Sequence, residues 1–251
     1  MAKILGDLVL HGPHAGKAEG PATDKGGCGM RKCVLFDFDG VLVDSEWRLF
    51  CQIREWLTKE YRITMPDGDC MRYIGGNDEA TARDLIARYA LPVGVEALAG
   101  QISAHSTLYE DGTLTLLPGA REFLVSLRRQ GVRTGLVSST ESRHILAAAN
   151  HLGLTGLFEV MICGDMVARH KPDPEGYRRA MALLGAAPGD CLVLEDSAAG
   201  LRAAKAAGAY TVGFCGARVR QDVSDADACV VNYAALMQPA VRRALGLPAA
   251  E

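Results

Sequence analysis

Short apolar runs alternate regularly with longer amphipathic segments in the chain from Leu116 onwards. The apolar runs are typical of strands, and the segments between them are long enough for helices of several turns. In chain order the pattern predicts helix 119–130, strand 133–139, helix 141–153, strand 159–165, helix 174–185, strand 190–196, helix 198–208, strand 210–215, a short run 228–232 and a closing helix. Strands joined by whole helices make crossover connections, which build a parallel sheet. We therefore predict an α/β fold with a doubly wound parallel sheet.

One further run of this kind, KCVLFDF at 32–38, lies far upstream of the alternating part. It is continuously apolar before Asp37, as strands buried on both faces are. Residues 45–115, which separate it from the other strands, contain helical patterns and no convincing strand. The sequence thus predicts a core domain made of 31–44 and 116–251, with a small helical cap domain, 45–115, inserted after the first strand.

The N-terminal segment has a different composition. Residues 11–29 are rich in Gly, Ala and Pro and show no hydrophobic period, so we predict a flexible tail over 1–30. Its GPHAGKA stretch resembles a phosphate-binding loop only superficially, because that motif needs one more residue and a hydroxyl after Lys17.

Composition excludes several classes of partner. The chain has 251 residues, 23% of them charged, and a formal net charge of −3, which gives no reason to expect nucleic acid or an anionic membrane as a partner. No apolar stretch approaches the roughly 20 residues that a membrane helix needs. The eight cysteines are scattered without a C-x-x-C pair, as expected for reduced, buried thiols in a cytoplasmic protein. The sequence gives no indication of an oligomeric state.

Polar residues stand where each predicted strand ends. The first strand ends in Asp37-Phe38-Asp39-Gly40, the second in Ser138-Ser139-Thr140, the third in Gly164-Asp165 with Lys171 shortly after, and the fourth in Glu195-Asp196-Ser197. An Asp-Gly pair alone is typical of a turn, and a single serine or lysine here would usually be structural. Sheets of this type bind ligands at the carboxyl ends of their strands, so the convergence predicts a functional site.

The residue types indicate phosphoryl transfer. Crowded carboxylates repel one another unless a cation lies among them, and Mg²⁺ is typically held by one or two carboxylates plus substrate phosphate. A lysine and hydroxyl groups nearby would bind the phosphoryl oxygens and neutralise developing charge. Aspartate can attack phosphorus as a nucleophile, and a second aspartate can serve as general acid and base.

Four ordered motifs carry a resemblance to a known family. DFDGVLVDSE, LVSST, KPDPEGY and LVLEDSAAGLRAAKAAG resemble the motifs of the haloacid dehalogenase superfamily, in particular its phosphatase and β-phosphoglucomutase-like branch with a helical cap. The likeness spans about residues 33–215. It implies that Asp37 is the nucleophile and Asp39 the acid and base, while Ser138, Ser139 and Lys171 bind the phosphoryl group.

The resemblance also implies a Mg²⁺ site and a reaction. Asp196 would bind the metal beside Asp37 and the backbone carbonyl of Asp39, with Glu195 in support. The superfamily's dehalogenases and P-type ATPases lack an acid at the position of Asp39, so these activities are disfavoured. The expected enzyme is a phosphoric monoester hydrolase that acts on a small phosphorylated metabolite, best matched by a phosphosugar, through an aspartyl-phosphate.

Weaker candidates for substrate specificity lie in the predicted cap. Glu46 follows the first motif, although a solvated helix N-terminus would also explain it. Gly75, Gly76 and Asn77 belong to YIGGND, which resembles the substrate loop of the cap. The β-phosphoglucomutases carry an arginine where Asp78 stands, which weakens the reading as a mutase. Outside the predicted cap, Asp165 at the end of the third strand is a further candidate for a supporting role near the metal.

Two alternatives to the phosphatase remain open. A phosphomutase would pass the phosphoryl group from Asp37 to a second sugar hydroxyl instead of water. A non-catalytic signalling receiver also surrounds a phosphorylated aspartate with hydroxyl groups and a lysine. Asp39 and the large insertion argue against the receiver, because a receiver needs neither.

Overall fold

One eight-stranded sheet organises the part of the chain that the computed structural model describes, namely residues 3–5, 7–10, 30–72, 78–105 and 107–249. The strands are β1 (Lys3–Leu5), β2 (Leu8–Leu10), β3 (Cys33–Phe36), β4 (Arg133–Val137), β5 (Val160–Ile162), β6 (Cys191–Glu195), β7 (Tyr210–Phe214) and β8 (Ala228–Val230). Their order across the sheet is β1-β2-β8-β7-β6-β3-β4-β5. The strands from β3 to β8 pair in parallel, which confirms the predicted α/β fold.

Helices cover both faces of the parallel strands. They are α4 (Ala120–Arg129), α5 (Ser142–His151), α6 (Glu175–Leu183), α7 (Ala198–Ala206), α8 (Tyr233–Met237) and α9 (Pro239–Ala244). Alternate residues of β3 point to opposite faces, so Val34 and Phe36 join one apolar cluster with α4 and α5, and Leu35 joins another with α6 and α7. All four β3 residues are buried, which explains why its sequence is apolar without alternation.

The predicted tail of residues 1–30 is too long. β1 and β2 pair in antiparallel fashion, and β2 continues the sheet by pairing with β8, where Leu8 lies opposite Val230. Leu8 is completely buried in the larger apolar cluster. The two strands therefore extend the sheet, whereas residues 11–29 lie outside the described part of the chain.

The insertion between β3 and β4 is helical. It contains α1 (Ser45–Tyr61), a 3₁₀ helix (Asp67–Arg72), α2 (Asp78–Tyr89) and α3 (Val95–His105). These helices share an apolar cluster that includes Phe50, Ile53, Leu57, Leu85, Leu98 and Ile102. Val219, from the loop after β7, joins that cluster and so connects the insertion with the sheet domain. The exact division into core and cap domains stays a prediction.

The chain enters and leaves the helical insertion at adjacent positions. Val43 forms an antiparallel bridge with Leu116, and the Leu117 amide donates a hydrogen bond of 2.8 Å to the Leu42 carbonyl. The two connections are therefore hydrogen-bonded to each other where they cross between insertion and sheet. Among the described helices, none is both long and apolar enough to span a membrane.

Candidate active site

The strand ends bring the predicted site residues to one edge of the sheet. Asp37 follows β3 directly, and its amide donates to the Leu194 carbonyl of β6 at 3.0 Å. Ser138 follows β4, and its amide donates to the Ile162 carbonyl at 2.9 Å. These bonds continue the strand pairing beyond the named strands and fix the backbone on which both side chains stand.

Lys171 lies between two buried carboxylates. Its Nζ is 3.0 Å from Asp37 Oδ1 and 2.6 Å from Glu195 Oε1, and it donates to the Val137 carbonyl at 3.1 Å. Burial alone would lower the pKa of Lys171, but the negative charges of Asp37 and Glu195 raise it well above its usual range. The ammonium group therefore stays charged and compensates part of the local negative charge.

Glu195 is held in one orientation by four donors. Lys171 Nζ and Tyr177 Oη (3.1 Å) bond to its Oε1, while the amide (2.9 Å) and hydroxyl (3.0 Å) of Ser197 bond to its Oε2. Burial raises the pKa of Glu195, but Lys171 and Ser197 outweigh it and hold the pKa below its usual range. Glu195 is thus a fixed, ionised carboxylate in a fully buried position.

The start of α7 is built around this carboxylate. Ser197 caps the helix, because its Oγ accepts a hydrogen bond of 3.0 Å from the Gly200 amide while donating to Glu195. A Cβ atom at Gly200 would lie only 1.6 Å from Glu195 Oε1. Glycine at this position therefore allows the helix to approach the buried acid.

Three buried acids form a group able to hold a metal ion. Asp37, Glu195 and Asp196 each place a carboxylate oxygen within 4.8 Å of the others. Burial and the charge of Glu195 raise the pKa of Asp37 well above its usual range, and the same causes raise the pKa of Asp196 to about 8. Lys171 alone does not balance these charges. The all-oxygen donor set with excess negative charge fits a hard divalent cation such as Mg²⁺.

Asp39 lies beside this group with different partners. Tyr109 Oη donates to its Oδ1 at 2.7 Å, and Thr140 Oγ1 donates to its Oδ2 at 2.8 Å. Burial and the charge of Asp39 raise the pKa of Tyr109 well above its usual range, so the phenol stays protonated. The Asp39 carboxylate is bonded to these two hydroxyls and is not part of the acid group, which is compatible with a metal contact through its backbone carbonyl.

Gly40 permits the close approach of the first and fourth motifs. Its φ of +73° is in the left-handed region, and a Cβ there would lie 1.9 Å from Asp196 Oδ2. The Asp-Gly pair that resembles an ordinary turn is therefore required by the packing of Asp196 against the end of β3.

The predicted phosphoryl-binding hydroxyls have different environments. Ser138 is buried, and its Oγ accepts a hydrogen bond of 3.0 Å from the Thr140 amide. The Ser139 side chain is exposed, and its carbonyl packs against Gly164, where a Cβ would lie 2.1 Å from the carbonyl oxygen. The phosphoryl-binding roles of Ser138, Ser139 and Lys171 stay predictions.

Of the weaker candidates for substrate specificity, the structure describes Glu46 alone. Glu46 lies in the first turn of α1, and burial together with the charges of Asp39 and Asp44 raises its pKa to about 7. The side chain of Glu46 is therefore not freely solvated. Gly75, Gly76 and Asn77 lie outside the described residues.

Asp165 has a local structural role. It accepts hydrogen bonds from the amide (2.8 Å) and hydroxyl (2.5 Å) of Ser142, at the start of α5. Both bonds satisfy groups at the helix N-terminus, where a carboxylate is favourable. Asp165 is exposed and is absent from the acid group found among the described residues, so the prediction of a metal-supporting role is unsupported.

Three site residues, Tyr177, Tyr109 and Gln221, were missed by sequence reasoning. Tyr177 stands inside the quoted motif KPDPEGY, so its position offered a signal, and Thr140 was predicted at the end of its strand but without a partner. Tyr109 and Gln221 offered none: Gln221 Nε2 donates to Asp196 Oδ2 at 3.2 Å from a loop with no periodic pattern. Their partners are distant in sequence, and only the fold brings them together.

The fold and the site define an α/β protein of the doubly wound type, with an acidic, lysine-containing centre at the carboxyl ends of its parallel strands. The chain belongs to the haloacid dehalogenase-like hydrolase family, whose family model matches residues 34–214. The predicted membership of that superfamily is thereby confirmed.

Named relatives indicate which branch of the family this chain is similar to. Validoxylamine A 7'-phosphate phosphatase from Streptomyces hygroscopicus subsp. limoneus is 30% identical over 212 residues, which cover 84% of this chain and 98% of the relative. Phosphorylated carbohydrates phosphatase from Thermotoga maritima is 33% identical over 189 residues, covering 70% and 82%. These relatives and the family match confirm the predicted enzyme class, a phosphoric monoester hydrolase.

A solved structure agrees with both the fold and the branch. The putative β-phosphoglucomutase from Thermotoga maritima superposes with a TM-score of 0.67 and 28% identity, over 77% of this chain and 89% of that one. The relatives of this chain are therefore phosphatases of sugar-like and other small phosphates, with a β-phosphoglucomutase among the structural neighbours.

Proposed function

We propose that this protein is a Mg²⁺-dependent phosphatase that hydrolyses a small phosphorylated metabolite, a phosphosugar, through an aspartyl-phosphate intermediate. The observation that carries the proposal is the contact of Lys171 with both Asp37 and Glu195 beside Asp196, which joins a nucleophile, a cation and a metal-binding acid in one buried centre. The names of two relatives, which specify phosphorylated carbohydrates and a phosphorylated validoxylamine, support the substrate class.

The first half-reaction transfers the phosphoryl group to Asp37. A carboxylate oxygen of Asp37 attacks phosphorus, the bond between phosphorus and the leaving oxygen breaks, and Asp39 gives its proton to that oxygen. Lys171 and the hydroxyl of Ser138 bind phosphoryl oxygens and neutralise their charge. Bound Mg²⁺, held by Asp37, Asp196 and the Asp39 carbonyl with Glu195 in support, would supply further charge neutralisation.

The second half-reaction frees Asp37. Asp39, now ionised, accepts a proton from a water molecule whose oxygen attacks phosphorus. The bond between phosphorus and the Asp37 carboxylate breaks, so inorganic phosphate leaves and Asp37 is restored. We propose that the insertion 45–115 acts as a cap that excludes bulk water and selects the substrate. Its own apolar cluster and its paired connections support this role.

A phosphomutase is the second candidate, favoured by the structural likeness to the putative β-phosphoglucomutase. The same aspartyl-phosphate would then return its phosphoryl group to a sugar. The two reactions differ in one product, because a mutase releases little free phosphate while it interconverts sugar phosphates.

The proposal is tested by incubating the purified protein and Mg²⁺ with a panel of phosphosugars while phosphate release and product isomers are both measured. We expect stoichiometric phosphate release from at least one sugar phosphate and loss of the rate in EDTA. Asp37→Asn should abolish turnover, because an amide cannot attack phosphorus, whereas Asp225→Asn, at an exposed position, should retain it. Isomerised sugar phosphates formed without release of free phosphate would establish the mutase. Substantial activity of Asp37→Asn would refute the assignment of Asp37 as the nucleophile.

A further inference from the structure

Tyr109 reaches the first motif from the helical insertion. It lies on a turn after α3, in which the amides of Glu110 and Asp111 both donate to the Thr107 carbonyl at 2.9 Å. Its ring packs against Phe38, which follows β3, and against His144 of α5, with centroid distances of 6.3 Å and 5.4 Å. These two ring contacts hold the phenol group next to Asp39.

Tyr109 and Thr140 hold the Asp39 carboxylate from both sides. Each carboxylate oxygen accepts one hydroxyl hydrogen bond, at 2.7 Å from Tyr109 and 2.8 Å from Thr140. The two donors come from positions 70 and 101 residues away along the chain. Rotation of the carboxylate about its Cβ–Cγ bond would break both bonds, so the pair defines its orientation.

We infer that Tyr109 is a positioning residue for the reaction, which together with Thr140 aims the Asp39 carboxyl group at the leaving oxygen and at the attacking water. The inference rests on the proposed function, in which Asp39 transfers both protons. Hydroxyl groups suit this task because they are neutral donors, which can keep donating to the carboxyl oxygens of Asp39 with and without its proton. A lysine or arginine in their place would favour the ionised carboxylate and so oppose its role as an acid.

The contact also connects the insertion with the chemistry. Tyr109 belongs to the predicted cap segment 45–115, whereas Asp39 and Thr140 belong to the sheet domain. The orientation of the Asp39 carboxyl group therefore depends on how the C-terminal end of the insertion packs against the sheet domain. Cap position and proton transfer are coupled through one phenolic hydroxyl.

The leaving group provides the first test. p-Nitrophenol departs readily as an anion, whereas a sugar alkoxide needs a proton from the acid. We expect Tyr109→Phe to lower kcat/KM for the phosphosugar most rapidly hydrolysed by the wild type by up to roughly 10²-fold, the effect of a small misplacement of a catalytic group. The loss for p-nitrophenyl phosphate should be clearly smaller, and KM for the sugar phosphate should change little. Equal losses for both substrates would overturn the inference.

Two sets of variants separate positioning from a merely structural effect. Thr140→Val should reproduce the selective loss, while Thr140→Ser, which keeps the hydroxyl, should restore most of the activity. Tyr61→Phe is the matched control, because Tyr61 is also in the insertion but its hydroxyl bonds to Gln101 Oε1 at 3.1 Å. A selective loss in this control, or none in Thr140→Val, would contradict the inference.

A double-mutant cycle of Tyr109 and Asp39 tests the inference with the phosphosugar as the only substrate. If Tyr109 acts through Asp39, Tyr109→Phe should have no further effect in an Asp39→Ala background, whereas multiplicative losses would overturn the inference. Failure of the proposed function looks different, because the wild type would then release no phosphate from any phosphosugar. Wild-type kcat/KM in Asp39→Ala would instead refute the acid–base role of Asp39, and with it the inference. Loss of roughly 10²–10⁴-fold in Asp39→Ala with an unaffected Tyr109→Phe would leave the function standing and refute only the role of Tyr109.

Discussion

Charge balance at individual residues decides how the buried centre behaves. Glu195 is kept ionised by Lys171 and Ser197, whereas Asp37 and Asp196 have raised pKa values because they are buried beside Glu195. Without a metal, the centre therefore favours protons on Asp37 and Asp196. A divalent cation would compete for the same oxygens, so the site should bind its metal more tightly as the pH rises.

This imbalance predicts a pH-dependent stability of the metal-free protein. The pKa of Asp196 is about 8 when folded and about 3.9 when unfolded, so between these values the folded state binds more protons. The contribution of Asp196 to the free energy of unfolding is thus fully present below pH ~4 and is lost as the pH rises through about 8. Each unit of pKa difference corresponds to about 1.4 kcal/mol.

Urea unfolding in EDTA at pH values from about 5 to about 8, which lie between the unfolded and folded pKa values of Asp196, measures this effect. Asp196→Asn should weaken the decline in stability with rising pH, because the amide does not titrate. Asp225→Asn, at an exposed position, should keep the wild-type slope. An unchanged slope in Asp196→Asn would show that other groups cause the decline.

At the scale of elements, the tight packing of α7 against Glu195 predicts a sensitive glycine. Gly200→Ala should lower the free energy of unfolding by about 1–3 kcal/mol, since its Cβ would lie 1.6 Å from Glu195 Oε1 and force the helix or the acid to move. Turnover should fall as well, because Glu195 positions Lys171.

Gly100→Ala is the matched control, since Gly100 is also inside a helix, α3, and a Cβ there meets nothing within 4 Å. It should be neutral or stabilising by up to about 1 kcal/mol, because alanine has the higher helix propensity. Chemical denaturation of both variants checks the comparison, and equal stability of Gly200→Ala and the wild type would contradict the packing argument.

The elements differ in how well the sequence predicts them. Five of the six parallel strands, β3 to β7, are apolar runs separated by helices, and this pattern is visible locally, as are the strand-end residues that meet at one edge. β1 and β2 have no recognisable sequence pattern, because they are three residues each and lie beside a segment rich in glycine. α3 ends at His105, and the turn that follows it presents Tyr109 to Asp39. That contact depends on tertiary structure and has no periodic signature.

At the scale of the whole molecule, the N-terminal strands complete one end of the sheet. Leu8 is completely buried against β8, so Leu8→Ala should cost about 2–5 kcal/mol of unfolding free energy, as other buried leucines do. Val9, in the same strand, is only half-buried, and Val9→Ala should cost clearly less. Urea unfolding of the two variants decides whether β2 belongs to the cooperative unit, and a Leu8→Ala variant as stable as the wild type would show that it does not.

The paired connections at Leu42–Val43 and Leu116–Leu117 have a consequence for engineering and for divergence among relatives. Because the two ends of the insertion are already adjacent, exchanging the helices between them leaves the distance to be closed almost unchanged, and the entropy of closure grows only slowly with segment length. The segment can thus be replaced as a cassette while the strand ends keep their register. New substrate preferences can arise by such an exchange, provided that the incoming segment again supplies Asp39 with the hydroxyl hydrogen bond that Tyr109 makes here.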